Sequence, residues 1–163
     1  MSKLIKFILL FFISVICCSA SFAYNETTVL SGEVTMIPRT FYGTWRVVSS
    51  KIDSDSNIFK EKSLDIWNLS RTGNVISLCN PFNGAKAEIT IERVEANDIV
   101  FTKIGNYGKK ILTDKVELSI DNDSFTGTNT IKLDTYSDGK LIKTETATYK
   151  IRGEKIAGGV EIE

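Results

Sequence analysis

The stretch "KAEITIE", residues 86–92, alternates apolar and polar side chains. Ala87, Ile89 and Ile91 fall on one face, and the charged or hydroxyl residues between them fall on the other. A period of two is typical of a strand with one buried and one solvated face. The same alternation recurs in "VELSI", residues 116–120. These stretches predict an antiparallel sheet rather than helices.

Short clusters of Gly, Asn, Asp and Pro separate the alternating runs. Asn83-Gly84 and Asp138-Gly139 are the strongest hairpin signals, because both accept the positive φ of tight turns. Because most of the connections are too short for crossovers, each strand is expected to pair with its neighbour in sequence. The predicted strands are 41–51, 64–70, 74–80, 86–95, 98–104, 111–121, 124–136, 140–152 and 155–162.

The expected fold class is all-β, an antiparallel up-and-down barrel of about eight or nine strands within residues 40–163. Closure removes the exposed edges that an open meander would leave. An open sandwich is the alternative, although Greek-key sandwiches need longer connections. One connection is long and polar: residues 52–63, with Ile58 and Phe59 at its centre.

Residues 1–23 have the pattern of a secretory signal peptide. Two lysines precede an apolar run, and Ser21-Phe22-Ala23 supplies a small-x-small cleavage site. A membrane anchor is the alternative, but the apolar core is short of the ~20 residues that a span needs. The protein is therefore expected in the periplasm or outside the cell, with no membrane span after cleavage, and its Lys/Ile/Asn-rich composition favours a bacterial source. Residues 24–39 are expected to form an extended segment before the barrel.

The composition excludes several kinds of site. The chain has no histidine, which removes histidine triads and histidine metal ligands. Cys79 is the one cysteine after residue 23, so neither a disulfide within the barrel nor a cysteine zinc cluster is possible. Cleavage removes two lysines from a chain with 20 basic and 20 acidic residues, which leaves a net charge of −2. No metal, cofactor or nucleic-acid partner is expected.

Polar residues on an inward face predict a lined interior. In "FTGTNTIKLD", residues 125–134, Gly127 and Asn129 share the face of Phe125. A buried amide must find a partner in protein, water or ligand. Gly127 alternatively marks a bend of the strand. Tyr149, in the next strand, is expected to present its hydroxyl to the same interior.

Two further aromatic residues complete the predicted ligand-binding set of Phe59, Trp67, Asn129 and Tyr149. Phe59 lies in the long connection, which would cover the barrel. Trp67 lies in a strand with two competing apolar phases, so it is either a cavity wall or an outer packing residue. The predicted function is non-enzymatic binding of a small, largely apolar ligand, because no compact acid–base pair or activated nucleophile is visible.

Two other functions remain open at this point. One is a protein-interaction or inhibitor module that uses its loop rim rather than a pocket. The other is an enzyme that uses carboxylates such as Glu145 or Asp123, and a buried carboxylate pair inside the cavity would favour it.

The stretch "TFYGTWRV", residues 40–47, resembles the first barrel strand of the lipocalins, a calycin family with a Gly-x-Trp motif. Gly43 and Trp45 match that motif, and the long connection after the strand matches the lipocalin lid. The resemblance implies a barrel with a ligand at its open end and Trp45 plugging the closed end. It also implies an arginine across the Trp45 ring, for which Arg152 is the candidate. The chain departs from the family in having no disulfide.

Overall fold

A computed structural model describes residues 37–158. Within these residues, a 3-10 turn at Arg39–Phe41 precedes eight β-strands. The strands are β1 Gly43–Ser54, β2 Lys62–Thr72, β3 Val75–Cys79, β4 Lys86–Glu95, β5 Asp98–Tyr107, β6 Lys110–Asp121, β7 Ser124–Ser137 and β8 Lys140–Ala157. The predicted signal peptide, and the predicted N-terminal segment up to residue 36, lie outside the described residues.

The strands form a closed, up-and-down antiparallel ring. Each strand pairs with its neighbour in sequence, and β8 pairs with β1 to close the barrel. Closure gives the first and last of the described strands a hydrogen-bonding partner, so none of these eight strands has an open edge. The predicted all-β, up-and-down barrel is confirmed.

The alternation read from the sequence matches the two faces of the wall. Ile89 and Ile91 of β4 are 1% and 3% exposed, and Val116, Leu118 and Ile120 of β6 are buried as well. The residues between them in sequence are exposed. Burial of these apolar side chains inside the ring drives closure, at roughly 1.5–3 kcal/mol for each large side chain.

The predicted break after residue 152 is wrong, because β8 runs from Lys140 to Ala157 as one strand. Gly153, which signalled a turn, faces inward and pairs with Phe125 of β7. A Cβ atom at Gly153 would lie 2.1 Å from the Phe125 ring. The glycine therefore makes room for an aromatic ring and does not end the strand.

The connections gather at the two ends of the barrel. One end, the open end, carries the loops 55–61, 80–85, 108–109 and 138–139. The other, the closed end, carries the Arg39–Phe41 turn and the remaining hairpins. Asp138 and Gly139 have φ of 51° and 75°, which is the positive φ predicted for this tight hairpin.

Aromatic rings fill the half of the interior next to the closed end. The Phe125 ring lies 5.1 Å from the Trp45 ring and 5.9 Å from the Trp67 ring, centroid to centroid. The Phe101 ring meets Trp67 edge-on at 6.4 Å and Phe41 at 5.9 Å. Such rings bury large areas and dominate core stability. A ligand therefore has room only toward the open end.

Candidate ligand-binding site at the open end

The Gly43-x-Trp45 motif lies at the closed end and shapes the core. Trp45 is fully buried, and its Nε1 donates a hydrogen bond to the Phe41 carbonyl oxygen at 3.0 Å. Gly43 has a φ of 126°, and a Cβ atom there would lie 2.8 Å from the Ala157 carbonyl oxygen. Glycine suits this backbone because it has no Cβ atom. The motif is thus remote from the open end.

Lys155, and not Arg152 as predicted, is the cation over the Trp45 ring. Lys155 Nζ lies 4.8 Å from the ring centroid and donates a hydrogen bond to the Thr40 carbonyl oxygen at 2.6 Å. Arg152 lies between the buried Ile151 and Gly153 on β8, so alternation puts it on the outer face, where it is exposed and pairs with Val48. Burial lowers the pKa of Lys155.

Two inward-facing residues donate hydrogen bonds to the loop 55–61, which lies at the open end. Tyr149 Oη donates a hydrogen bond to the Lys60 carbonyl oxygen at 2.9 Å, and Lys51 Nζ donates to the Phe59 carbonyl oxygen at 3.0 Å. The Phe59 side chain packs against the core. Burial raises the pKa of Tyr149, so its hydroxyl keeps the proton that it donates.

Two carboxylates hold the start of the same loop. Asp55 accepts hydrogen bonds from the backbone N–H of Thr146 at 2.7 Å and from its hydroxyl at 2.9 Å. Glu145 accepts one from the Ser56 hydroxyl and pairs with Lys143 at 2.8 Å. The bonds from Thr146 hold the pKa of Asp55 below its usual range, and the bond from Lys143 does the same for Glu145. These bonds fix the start of the loop 55–61 to β8.

Acidification should break the hydrogen bonds that anchor the loop 55–61 to β8 at Asp55. Because the folded pKa of Asp55 is lowered, its anchor contributes stability above the pKa of a free aspartate, about 3.9, and that contribution is lost as the pH falls through the lower folded value. We expect the NMR shift of the Thr146 amide proton to titrate with a midpoint below about 3.9. Asp55→Asn should abolish the transition. A midpoint at or above the free value would contradict the anchor.

A cleft of about 110 Å³ enters the barrel at the open end and is lined by residues of β2, β3, β4, β5 and β6 and of the loop 80–85. Its lining combines two kinds of side chain. The apolar part includes Leu78, Ala87 and Leu112, and the polar part includes Asp65, Lys103 and Asp114. A mixed lining of this kind is typical of small-molecule sites, in which a few polar groups orient a ligand against apolar walls.

Asp65 lines the cleft and is hydrogen-bonded to Trp67 of the aromatic core. Its Oδ1 accepts a hydrogen bond from the Asn80 amide, and its Oδ2 accepts one from Trp67 Nε1 at 3.2 Å. Trp67 is 3% exposed whereas Leu64 is 67% exposed, so the inward phase of β2 is the one that contains Trp67. The carboxylate of Asp65 is thus occupied by protein donors, and it holds the indole in place.

Two acceptor atoms inside the open half have no hydrogen-bond partner among residues 37–158. They are Asp114 Oδ1 and Asn129 Oδ1. Asp114 is 3% exposed and Asn129 is 8% exposed. The other oxygen of Asp114, Oδ2, lies 2.6 Å from Lys103 Nζ. An unmet buried acceptor costs about 1–3 kcal/mol, so the packing of the open half carries this cost at both atoms.

The four residues predicted to bind ligand occupy different parts of the barrel. Trp67 belongs to the aromatic core, and Phe59 and Tyr149 secure the loop 55–61. Asn129 pairs with Tyr149 across β7 and β8 and faces the interior. None of the four is among the residues that line the cleft.

The sequence pattern does not single out Lys103 or Asp114, yet a signal for Asp114 is present. In "LTDKVELSI", residues 112–120, Asp114 shares the inward phase of Val116 and Leu118. A charged residue in the apolar phase of a strand is rarely buried unless it is paired. Its partner Lys103 stands directly opposite on β5, and this register is fixed only once the strands are paired.

Comparison of the chain with protein-family models, with curated proteins and with solved structures finds no match. In the described part of the chain, no helix is both long enough and apolar enough to cross a membrane. Among the same residues, no group of three or more His, Cys, Asp or Glu side chains is placed to hold a metal ion.

Proposed function

We propose that this protein is an exported, non-enzymatic, lipocalin-like barrel that binds a small ligand at its open end. The observation that carries the proposal is the division of the interior into two halves. Aromatic rings fill the closed half, whereas a cleft with a mixed polar and apolar lining enters the open half. Eight-stranded barrels are wide enough to hold one small ligand.

The size of the cleft limits the ligand. Its volume of about 110 Å³ is below the roughly 300–1,000 Å³ of sites for drug-sized molecules. A largely apolar ligand of a few heavy atoms fits, with its apolar part against Leu78, Ala87 and Leu112 and its polar group toward Asp114. A long-chain lipid would need the aromatic core to open.

The engagement of the interior carboxylates supports a non-enzymatic role. Asp65 is bonded to Asn80 and Trp67, and Asp114 is paired with Lys103. Glu145 is held by Lys143 and by a loop serine. General acid–base catalysis needs a carboxylate within reach of the substrate and free to exchange its proton. Export is supported by the pattern of residues 1–23.

Titration with n-butanol, followed by backbone amide shifts in NMR, tests the binding site. We expect the shifts to concentrate at residues 103–105 and 112–114, which line or border the cleft. Leu112→Trp should fill the cleft and abolish them. Leu64→Trp, at an exposed position on the outer face, is the control and should leave them unchanged. Shifts scattered over the surface, or unaffected by Leu112→Trp, would contradict the proposal.

A protein-interaction or inhibitor module is the second candidate, and exposed apolar residues at the open-end rim favour it. Phe82 is 82% exposed, Tyr107 is 66% exposed and Ile58 is 52% exposed. Exposed apolar side chains that cluster at one end are typical of protein contacts. If the rim binds a partner, the wild-type protein should capture that partner from the extracellular medium, and the Phe82→Ser variant should not. Val48→Ser, which changes an exposed apolar residue away from the rim, is the control and should capture the partner as the wild type does. Equal retention by all three would exclude a contact through Phe82.

A further inference from the structure

We propose that the open-end rim docks onto the surface of an anionic phospholipid bilayer. The rim comprises the four connections of that end and the strand residues next to them: 53–62, 80–86, 107–110 and 137–143. The inference goes beyond the binding of a small ligand in the cleft and does not depend on it. It is carried by the apolar and charged side chains that this end of the barrel presents to solvent.

Each of the four rim segments exposes at least one large apolar side chain. Ile58, Phe82 and Tyr107 belong to three of the segments, and Leu141 and Ile142 belong to the fourth. All five side chains are more than half exposed. Exposed apolar and aromatic side chains of this kind enter the boundary between headgroups and acyl chains at a membrane surface. The rim can therefore contact a bilayer from all around the opening of the barrel.

Lysines surround these apolar side chains. The rim contains seven lysines and four acidic residues, which gives it a net charge of +3. Of the four acids, Glu61 already pairs with Lys51, and Asp55 accepts hydrogen bonds from Thr146. Five of the lysines form no salt bridge among residues 37–158: Lys60, Lys62, Lys109, Lys110 and Lys140. An anionic lipid surface is the complement of such a rim, because each lysine near it strengthens binding about fivefold.

The closed end has the opposite character. Its turn 39–41 and its hairpins 71–75, 95–98 and 121–124 contain four acidic and two basic residues, and no large apolar side chain of these segments is exposed. Among the described residues of this end, Ile156 alone is a large apolar residue with most of its surface exposed. The charge of the barrel is therefore polarised along its axis, which turns the open end toward a negative surface.

The kind of basic residue favours a lipid surface over a protein partner. All seven basic residues of the rim are lysines, and none is an arginine. Protein contact surfaces are depleted in lysine and enriched in arginine, whereas clusters of lysine attract anionic headgroups without specific geometry. A protein partner is the competing occupant of the same rim.

Vesicle flotation of the exported protein, without residues 1–23, tests the docking. At about 0.1 M salt we expect binding to vesicles of equal parts phosphatidylglycerol and phosphatidylcholine to be about tenfold or more tighter than binding to phosphatidylcholine alone. Raising the salt to about 0.5 M should remove most of this preference, because salt screens exposed charges. Equal binding to both vesicles, or binding to neither, would overturn the proposal. Capture of a protein partner without any vesicle binding would overturn it in favour of a protein contact.

Two double variants separate the rim from the net charge of the protein. Lys109→Gln with Lys110→Gln should weaken binding to the phosphatidylglycerol vesicles about tenfold or more. Lys150→Gln with Arg152→Gln is the matched control, because it removes the same charge from exposed positions on the outer wall of β8. This control should bind within about twofold of the wild type. Equal weakening by both double variants would overturn docking through the rim.

Phe82→Trp tests whether the apolar side chains enter the bilayer. Trp45 and Trp67 are buried, so an indole added at the exposed position 82 is the one that lipid can reach. Its fluorescence should shift to the blue on the phosphatidylglycerol vesicles and should be quenched by lipids with brominated acyl chains. Leu64→Trp, at an exposed position on the outer wall, is the control and should show neither effect. The same response from both variants, or from neither, would overturn the proposal.

Discussion

Trp45→Ala will lower the free energy of unfolding by about 3–5 kcal/mol, as expected for truncation of a large aromatic residue in a packed core. Trp45 has no exposed surface, packs against Phe125 with the two ring planes tilted, and donates a hydrogen bond to the Phe41 carbonyl oxygen. The substitution leaves a cavity at the closed end and an acceptor without its donor. Urea unfolding followed by far-UV circular dichroism measures the loss.

Phe82→Ala is the control for this substitution. Phe82 is an aromatic residue that is 82% exposed in the loop 80–85, so its truncation should change the free energy of unfolding by less than about 0.5 kcal/mol. If Trp45→Ala kept wild-type stability but lost binding of n-butanol, Trp45 would belong to the ligand site and not to the closed-end core.

Gly127→Ala will destabilise the barrel by about 1–3 kcal/mol or more, the range for overpacking a dense interior. A Cβ atom at Gly127 would lie 2.0 Å from the Glu117 carbonyl oxygen and 2.8 Å from Leu118 Cα. Both obstacles are backbone atoms of β6, so relief requires the two strands to separate and weakens their hydrogen-bond ladder. The fall in the urea midpoint and in the melting temperature measures the effect.

Gly158→Ala makes the same chemical change where there is space. Among residues 37–158, and apart from its own chain neighbours, no heavy atom lies within 4 Å of the Cβ position at Gly158, so this variant should match the wild type in stability. Equal stability of Gly127→Ala and Gly158→Ala would show that β6 and β7 do not approach as closely as described, and the glycine would then need another explanation.

The barrel itself is predictable because its signals are local. Alternation in residues 86–92 and 116–120 assigns inward and outward faces, and short turns force each strand to pair with the next. The Asp138-Gly139 hairpin is recognisable for the same reason, because positive φ is a property of single residues. The last strand is misread, because Gly153 has the pattern of a turn residue but makes room for the Phe125 ring. The long connection predicted at 52–63 is also shorter than expected, because β1 continues to Ser54 and β2 begins at Lys62.

The contents of the barrel are much less predictable. Asn129 is identified as an inward polar residue, but its unmet oxygen and its neighbour Asp114 appear only when β6 and β7 are in register. Trp67 and Tyr149 are predicted to bind ligand, because aromatic side chains are common both in the walls of binding pockets and in packed cores. Their hydrogen bonds, to Asp65 and to Lys60, depend on the path of a strand and a loop.

By itself, then, the sequence determined most of the strands and their order and favoured a closed up-and-down ring over an open sandwich, because periodicity and turn chemistry act over a few residues. Only the tertiary structure shows which half of the interior is filled by side chains, which cation lies over the Trp45 ring and where a cleft remains. Those outcomes depend on residues far apart in the chain, such as Trp45 with Lys155 and Lys103 with Asp114. Their contacts are set by register and packing across the barrel, which no short stretch of sequence encodes.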